Sequence, residues 1–338
     1  MAYKIVEKIA KFWEKKNNAV KCRLCPHNCI LRNGMRGICR VRENRNGRLY
    51  TLIYASCSSA NVDPIEKKPL FHFYPGSMVY SISTIGCNLK CLHCQNYSIS
   101  QVSLEEAFLV DIPPEKLVKE ALKSSHGIAF TYNEPTIWWE YAYDTSKIAK
   151  KHGLYTVFVT NGYINEEPLK EIAPYLDAAN VDIKAMDDEF YRKIARARLE
   201  PVLQAAKLYK ELGVHLEMTY LIIPTKNDDE RQIKKFIDWG LNEFGEEQVI
   251  HFTAFYPAYK MMHIPPTPLK KLIEAYEMAK QHGLKYVYLG NVPHGEYENT
   301  YCPRCGNLLI ERHGFNARIV GIKNGKCSKC GAKLPIII

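Results

Sequence analysis

No stretch of this chain approaches the roughly 20 consecutive apolar residues needed to cross a bilayer. It has no HExxH metal-binding helix, no phosphate-binding loop and no nucleophile–histidine–acid triad, so those routes to hydrolysis and nucleotide chemistry have no support. The first 18 residues, MAYKIVEKIAKFWEKKNN, lack the unbroken apolar core of a signal peptide. Charges scattered through their apolar positions predict an amphipathic surface helix instead. The expectation is a cytoplasmic protein with no membrane partner. With 338 residues, 46% hydrophobic and 24% charged, the chain suits one domain of ~200–250 residues with small appendages.

Acidic residues are scarce at both ends. Residues 1–50 hold 3 Asp/Glu against 13 Lys/Arg, residues 301–338 hold 1 against 7, and the middle has 32 against 26. Basic ends flanking an acidic body suit nucleic acid or an acidic protein surface, or else compensation of clustered thiolates.

Cysteine, by contrast, is abundant, and in the cytosol it points to metal or catalysis rather than disulfides. Eleven of the twelve fall in three clusters: Cys22, Cys25, Cys29 and Cys39; Cys87, Cys91 and Cys94; Cys302, Cys305, Cys327 and Cys330. Cys57 stands alone and reads as a small buried hydrophobe. The middle cluster is one short. Iron–sulfur cubanes take four cysteine thiolates, and a site with three leaves one iron open, the mark of catalysis rather than structure.

From about 77 to 292, short apolar runs alternate with helical patterns. SMVYSISTIG, GIAFTYNEP, YTVFVTNG, AANVDIKA, VHLEMTYLIIP and QVIHFTAFYP read as strands, with KYVYLGN a candidate seventh. Helical patterns between them commonly end in Gly, at 153, 213, 245 and 283. This predicts an α/β fold, a parallel (β/α) partial or full TIM-like barrel of about six strands. The expected division is 1–76 (amphipathic helix and cysteine-rich strap), 77–295 (barrel) and 296–338 (zinc-ribbon-like unit). The CxxxCxxC loop, YNEP, TNG and DIK all fall at C-terminal strand ends, where such folds place active groups.

The loop GCNLKCLHCQN resembles the signature of the radical S-adenosylmethionine (SAM) enzymes, especially the activase of pyruvate formate-lyase. That resemblance implies a 4Fe-4S cluster on Cys87, Cys91 and Cys94 whose open iron is chelated by SAM. Reductive cleavage of SAM then gives a 5′-deoxyadenosyl radical that abstracts hydrogen, with no catalytic residue beyond the cluster. It also implies SAM contacts: His93 against the adenine; Asn133 and Glu134 of YNEP near the ammonium; Thr160, Asn161, Asp182 and Lys184 around the carboxylate and ribose; and, on a loose match, Tyr256 of FYPAY. One departure stands out, Val159 where the activases have aspartate. Without the resemblance, Thr160-Asn161-Gly162 is an ordinary turn signal and Asp182 and Lys184 are same-face neighbours able to pair.

CPRCG and CSKCG, at 302–306 and 327–331, form a zinc-ribbon pattern that zinc or iron could fill. The four cysteines at 22–39 suit zinc or a second iron–sulfur cluster. From this segment through NVDPIEKKPLFHFYPGS to the terminal ribbon, the chain resembles the AmmeMemoRadiSam-system radical SAM enzymes. Asp63, Glu66 and His72 in the strap read as structural. The implied partners are a flavodoxin- or ferredoxin-type electron donor, a protein substrate as in glycyl-radical activation, and a Memo- or Ammecr-type protein. The alternative is a zinc or iron–sulfur protein that binds nucleic acid or modifies RNA held by its basic ends.

Overall fold

The computed structural model describes residues 7–292 and 295–338. One eight-stranded sheet organises it: β1 (Ser59–Pro64), β2 (Met78–Ser83), β3 (Gly127–Phe130), β4 (Tyr155–Thr160), β5 (Ala178–Asp182), β6 (His215–Ile222), β7 (Val249–Ala254) and β8 (Tyr286–Gly290). Strands β2 to β8 lie side by side in sequence order and are all parallel. All seven predicted strands are present, KYVYLGN included. β1 pairs antiparallel with β2, Ser59 opposite Ser83 and Pro64 opposite Met78. The order ends at β1 and β8, which do not pair, so the barrel is partial.

Six helices cross between the parallel strands: α1 (Pro114–Ser124), α2 (Trp139–Lys151), α3 (Glu166–Ile172), α4 (Leu199–Glu211), α5 (Glu230–Phe244) and α6 (Leu269–Gln281). The strands are buried on both faces, completely so in β3 and β7, as parallel strands covered by helices must be. The helices bury one stripe each. In α5 that stripe is Ile233, Phe236, Ile237 and Gly240, at helical spacing, and Asp229 caps its start by accepting from the Gln232 amide at 3.0 Å. The chain leaves α2 and α6 through Gly153 and Gly283, at φ 75° and 104°, where a side chain would be strained. Among the described residues, no helix is long and apolar enough to cross a membrane.

The N-terminal helix expected over the first 18 residues is corrected from residue 7 onward; residues 1–6 lie outside the described residues. Trp13–Lys16 and Ala19–Cys22 form an antiparallel hairpin that Ile30–Arg32 extends, and Lys8–Ile9 pairs with Arg48–Thr51. The reason is local. Asn17 takes φ 51°, a left-handed conformation asparagine tolerates, and turns the chain where a helix would have to continue.

The strap also contributes β1 to the main sheet. Beyond it, Ile65, Leu70 and Phe73 pack on Val79, Ala129, Val157 and Ala178, plugging the start of β2 to β5. Glu217 of β6 fastens this plug. Fully buried, its carboxylate accepts from the Phe71 and His72 amides at 2.9 and 2.7 Å, from His251 Nε2 at 2.7 Å and from His215 Nε2 at 3.0 Å. Burial works to raise its pKa, yet the two histidines outweigh burial and hold it well below the usual carboxylate range. The C-terminal unit has its own small core of Cys302, Leu309, Ile310, Cys327, Leu334 and Ile336. It touches both ends of the sheet order: Ala317 lies against Gly76 before β2, and Thr300 Oγ1 meets Tyr288 Oη of β8 at 2.8 Å.

Glu217→Ala, which strands two histidines and two amides, is expected to destabilise the protein by about 3 kcal/mol in anaerobic chemical denaturation. With its folded pKa depressed, the stabilisation from Glu217 is full above the unfolded value of about 4.3 and is lost as pH falls. The stability gap between wild type and Glu217→Gln should therefore narrow below about pH 4. A gap that ignores pH would show that Glu217 is folded in its neutral form.

Candidate active site

The candidate site is built at the C-terminal edge of the sheet, where β2 runs into Thr84, Gly86 and Cys87. Asn133, just past β3, pins this lead-in: its Oδ1 accepts from the Thr84 amide at 3.3 Å and its Nδ2 donates to the Gly86 carbonyl at 3.0 Å. Gly86 has φ 86°, and a Cβ there would lie 2.7 Å from the carbonyl of Cys39, so glycine is required. From the far side, the amides of Lys90 and Leu92 donate to the carbonyls of Ala195 and Ile194 at 2.9 and 3.0 Å. The loop's path is thereby fixed through its backbone.

Cys87, Cys91 and Cys94 line one cavity of about 620 Å³ together with His93, Asn133, Glu134, Thr160, Asn161, Asp182 and Lys184. The structure thus brings together every expected SAM-contact residue but one. Tyr256 is 47% exposed and outside the cavity lining, its Oη donating to the Asn291 carbonyl at 3.0 Å. β7 ends at Ala254, and the buried Phe255 turns its neighbour outward. Val159 does line the cavity, so no carboxylate stands there to bind a cation.

Glu134 is 1% exposed and turned into the protein. It accepts from the Thr136 amide (2.9 Å), Thr160 Oγ1 (2.8 Å) and the Asn161 amide (2.8 Å). Three of about four acceptor positions on a carboxylate are thus taken from within, which makes Glu134 first a positioning residue for the turn after β4. Asn161, so held, donates through Nδ2 to Cys87 Sγ at 3.6 Å and to Asn88 Oδ1 at 2.9 Å. The Leu89 amide meets the same sulfur at 3.3 Å, and Ser100 Oγ lies 3.1 Å from Cys94 Sγ. Lys184 Nζ sits 3.3 Å from Asp182. Burial opposes its charge, but Asp182 and then Cys91 outweigh burial and raise its pKa. His93 is pushed down to about 3, by burial first and then by Lys184, and presents a neutral ring.

The ribbon's share of this cavity was not legible in the sequence. Gly314 and Phe315, at the tip of the hairpin Leu308–His313 and Asn316–Ile319, line it with Glu298. HGFN reads as a turn, but nothing in it says which surface the turn reaches. Burial pushes Glu298 up to about 7, against the opposing pull of Arg312, so this wall carries a carboxyl that titrates near neutrality.

The strap residues are held by bonds within the fold, and Glu66 also lines the cavity. Asp63 accepts from Lys67 and Lys68 at 2.8 Å and from Tyr132 Oη. Glu66 accepts from the Gly76 amide at 2.9 Å, and His72 Nε2 meets Tyr288 Oη at 2.7 Å. Cys57 is buried, as a small hydrophobe would be.

A partial barrel with three unpaired sulfurs at one strand end defines a class of enzyme, and comparisons with known proteins agree. The family "Radical SAM superfamily" matches residues 81–237. An uncharacterized protein of Methanocaldococcus jannaschii is 48% identical over 97% of this chain and 99% of its own length. Pyruvate formate-lyase-activating enzyme of Clostridium pasteurianum is 27% identical over 44% of this chain and 64% of that protein. In structure, a radical SAM methyltransferase from Sphaerobacter thermophilus superposes with TM-score 0.50 at 13% identity, covering 64% of this chain and 67% of the other, a likeness of fold alone. The chain belongs to the radical SAM superfamily. It is an enzyme of SAM-cleaving radical chemistry, similar to the activases of pyruvate formate-lyase.

The residues present suit the cofactors this family implies. Cys87, Cys91 and Cys94 would hold a 4Fe-4S cluster, with SAM beside it in the cavity their sulfurs line. When bound, the pair supplies reductive cleavage of SAM and a carbon radical that takes hydrogen. Amide and side-chain N–H groups face the Cys87 sulfur, and hydrogen bonds of this kind raise a cluster's potential. Lys184 adds a fixed cation near Cys91.

The other two cysteine sets are each gathered as well. In the ribbon, Cys302, Cys305, Cys327 and Cys330 bring their sulfurs all within 4.8 Å of one another. Cys302 and Cys330 are 3.6 Å apart and Cys305 and Cys327 3.7 Å, close to the edge of roughly 3.8 Å of a sulfur tetrahedron around one ion with bonds of about 2.3 Å. Backbone amides of Cys330 and Lys329 draw the Cys327 thiol below its ordinary value. In the strap, Cys22, Cys25, Cys29 and Cys39 line a separate small cavity.

Ribbon and sheet should respond differently to metal loss. With Cys302→Ser plus Cys330→Ser, amide hydrogen exchange in 308–319 is expected to accelerate strongly while β3 to β6 stay protected, with one metal ion fewer per chain. Unchanged exchange in the hairpin would show that the ribbon core stands without its metal.

Proposed function

We propose that the chain abstracts a hydrogen atom from a protein or peptide substrate held between the three-cysteine loop and the ribbon tip, in the manner of a glycyl-radical activase. The observation that supports it is the shared cavity: the sulfurs, Asp182 and Lys184 line it together with Glu298 and Phe315 of the C-terminal unit, the latter 53% exposed. Substrate in that cavity would lie beside the cluster. The sequence likeness to pyruvate formate-lyase-activating enzymes supports a protein substrate, with a backbone glycine as the proposed hydrogen source. An external flavodoxin- or ferredoxin-type donor would supply the electron. A Memo- or Ammecr-type protein, implied by the subfamily resemblance, belongs among the carriers to be screened.

The basic ends do not favour nucleic acid, since much of their charge is already paired with acids. Lys8 bonds Asp144 at 2.6 Å, Arg23 bonds Glu167 at 3.0 Å, Arg36 bonds Glu105 at 2.6 Å, Lys11 pairs with Glu171, and Arg318 bonds Glu311 at 2.7 Å.

Anaerobically reconstituted protein with SAM and dithionite should form 5′-deoxyadenosine, and Cys91→Ala should form none. Glycine-centred peptides carrying α-dideuterated glycine should pass deuterium into that product. Absence of product from protein with a verified cluster on the loop, across all added carriers and peptides, would refute the reading. Product without deuterium transfer, stimulated by a non-peptide compound, would refute the glycyl part alone.

A further inference from the structure

We propose that Cys22, Cys25, Cys29 and Cys39 hold a second four-iron cluster, coordinatively closed, set directly beside the three-cysteine loop. The ribbon supplies an internal standard. Among the described residues it is the one set whose metal-ligating atoms all fall within 4.8 Å of one another. No three of the strap sulfurs do so, nor do the three sulfurs of the radical loop. The strap sulfurs, like those of the loop, are therefore not at the single-ion spacing of the ribbon. Four sulfurs held apart around a cavity suit a cubane, which takes four thiolates, better than a single tetrahedral ion.

Backbone and guanidinium N–H groups stand around that cavity. Each sulfur faces a backbone amide: Leu24 toward Cys22, His27 toward Cys25, Ile38 toward Cys29 and Val41 toward Cys39. Gly37 leaves the space between two of them open, since a Cβ there would stand 3.6 Å from Cys39 Sγ and 3.7 Å from Cys29 Sγ. Arg42, 1% exposed, lines the cavity, and its Nε is a buried donor with no partner. Its Nη2 is fastened to Glu140 at 2.5 Å. An orphaned guanidinium N–H beside four cysteines is costly unless an acceptor arrives there, and a cluster's sulfurs are such acceptors. The remaining lining is apolar, with Leu24, Leu31, Ile38 and Ile137, and offers a water few partners.

The two cysteine loops touch. The carbonyl of Cys39 lies over Gly86, next to Cys87, and His27 Nε2 meets the carbonyl of Asn88 at 2.7 Å. With four protein ligands the second cluster has no open iron, so it suits electron transfer rather than SAM binding.

The test uses the full chain with Cys87, Cys91 and Cys94 all changed to Ala, reconstituted anaerobically with iron and sulfide. About four irons and four sulfides per chain are expected to remain, with one mononuclear metal in the ribbon. The reduced protein should give an electron paramagnetic resonance signal that added SAM does not alter. Iron-free protein, with or without a second zinc, would overturn the proposal, as would about two irons per chain. If this variant does not fold, native mass spectrometry of the reconstituted wild type decides, since two cubanes are expected and one would refute the second. SAM cleavage by the wild type is read separately, so loss of either proposal leaves the other standing.

Discussion

The site depends on one buried carboxylate. Glu134 sits at the end of β3 with its oxygens taken by the Thr136 amide, Thr160 Oγ1 and the Asn161 amide. A charge so deeply buried is tolerable only because these donors are all made. In return it fixes the turn after β4, which aims Asn161 at the Cys87 sulfur, while Asn133 next door holds the loop's lead-in. Two adjacent strand ends thus position the cysteine loop through side chains that need not themselves touch substrate. Removing the carboxylate would leave three buried donors unsatisfied, at about 1–3 kcal/mol each.

The same economy of charge explains the basic ends. Arg42 of the strap is buried against Glu140 of α2, and Arg312 of the ribbon is buried with Nη2 on the Phe71 carbonyl at 2.7 Å and its guanidinium 4.1 Å from the Phe71 ring. Arg42 docks the strap on an acid of the barrel, and Arg312 ties the ribbon to the strap. The contrast in charge between ends and middle was therefore an intramolecular signal, at least as much as a sign of any partner. Sequence counting cannot separate the two, because it records charge and not who stands opposite.

What was legible in the sequence follows periodicity and spacing. Apolar runs bounded by turns marked every parallel strand, and the terminal ribbon announced itself in two CxxC pairs. α3 carries Pro168 in its first turn, where a missing N–H costs nothing. β1 escaped notice because NVDP ends in proline and lies among cysteine-rich segments, and only its antiparallel pairing with β2 makes it a sheet edge. The first turns were misread as helix because charge alternating with apolar residues fits a short hairpin as well as a surface helix. Tyr256 was misplaced by a loose motif match, since two residues beyond a strand end decide whether a side chain faces in or out.

The ribbon tip carries the remaining argument. A partial barrel leaves an opening between its first and last strands, and here the C-terminal unit occupies both borders, Ala317 on Gly76 and Thr300 on Tyr288. Phe315 and Glu298 thereby line the cavity that the cysteine loop also lines. The metal that closes the ribbon would then do more than staple a small core. It would set the position of a substrate wall, coupling a structural site to the geometry in which a radical must meet one particular hydrogen. Such reactions depend on placement to a fraction of an ångström, which well-packed elements around the cavity would supply.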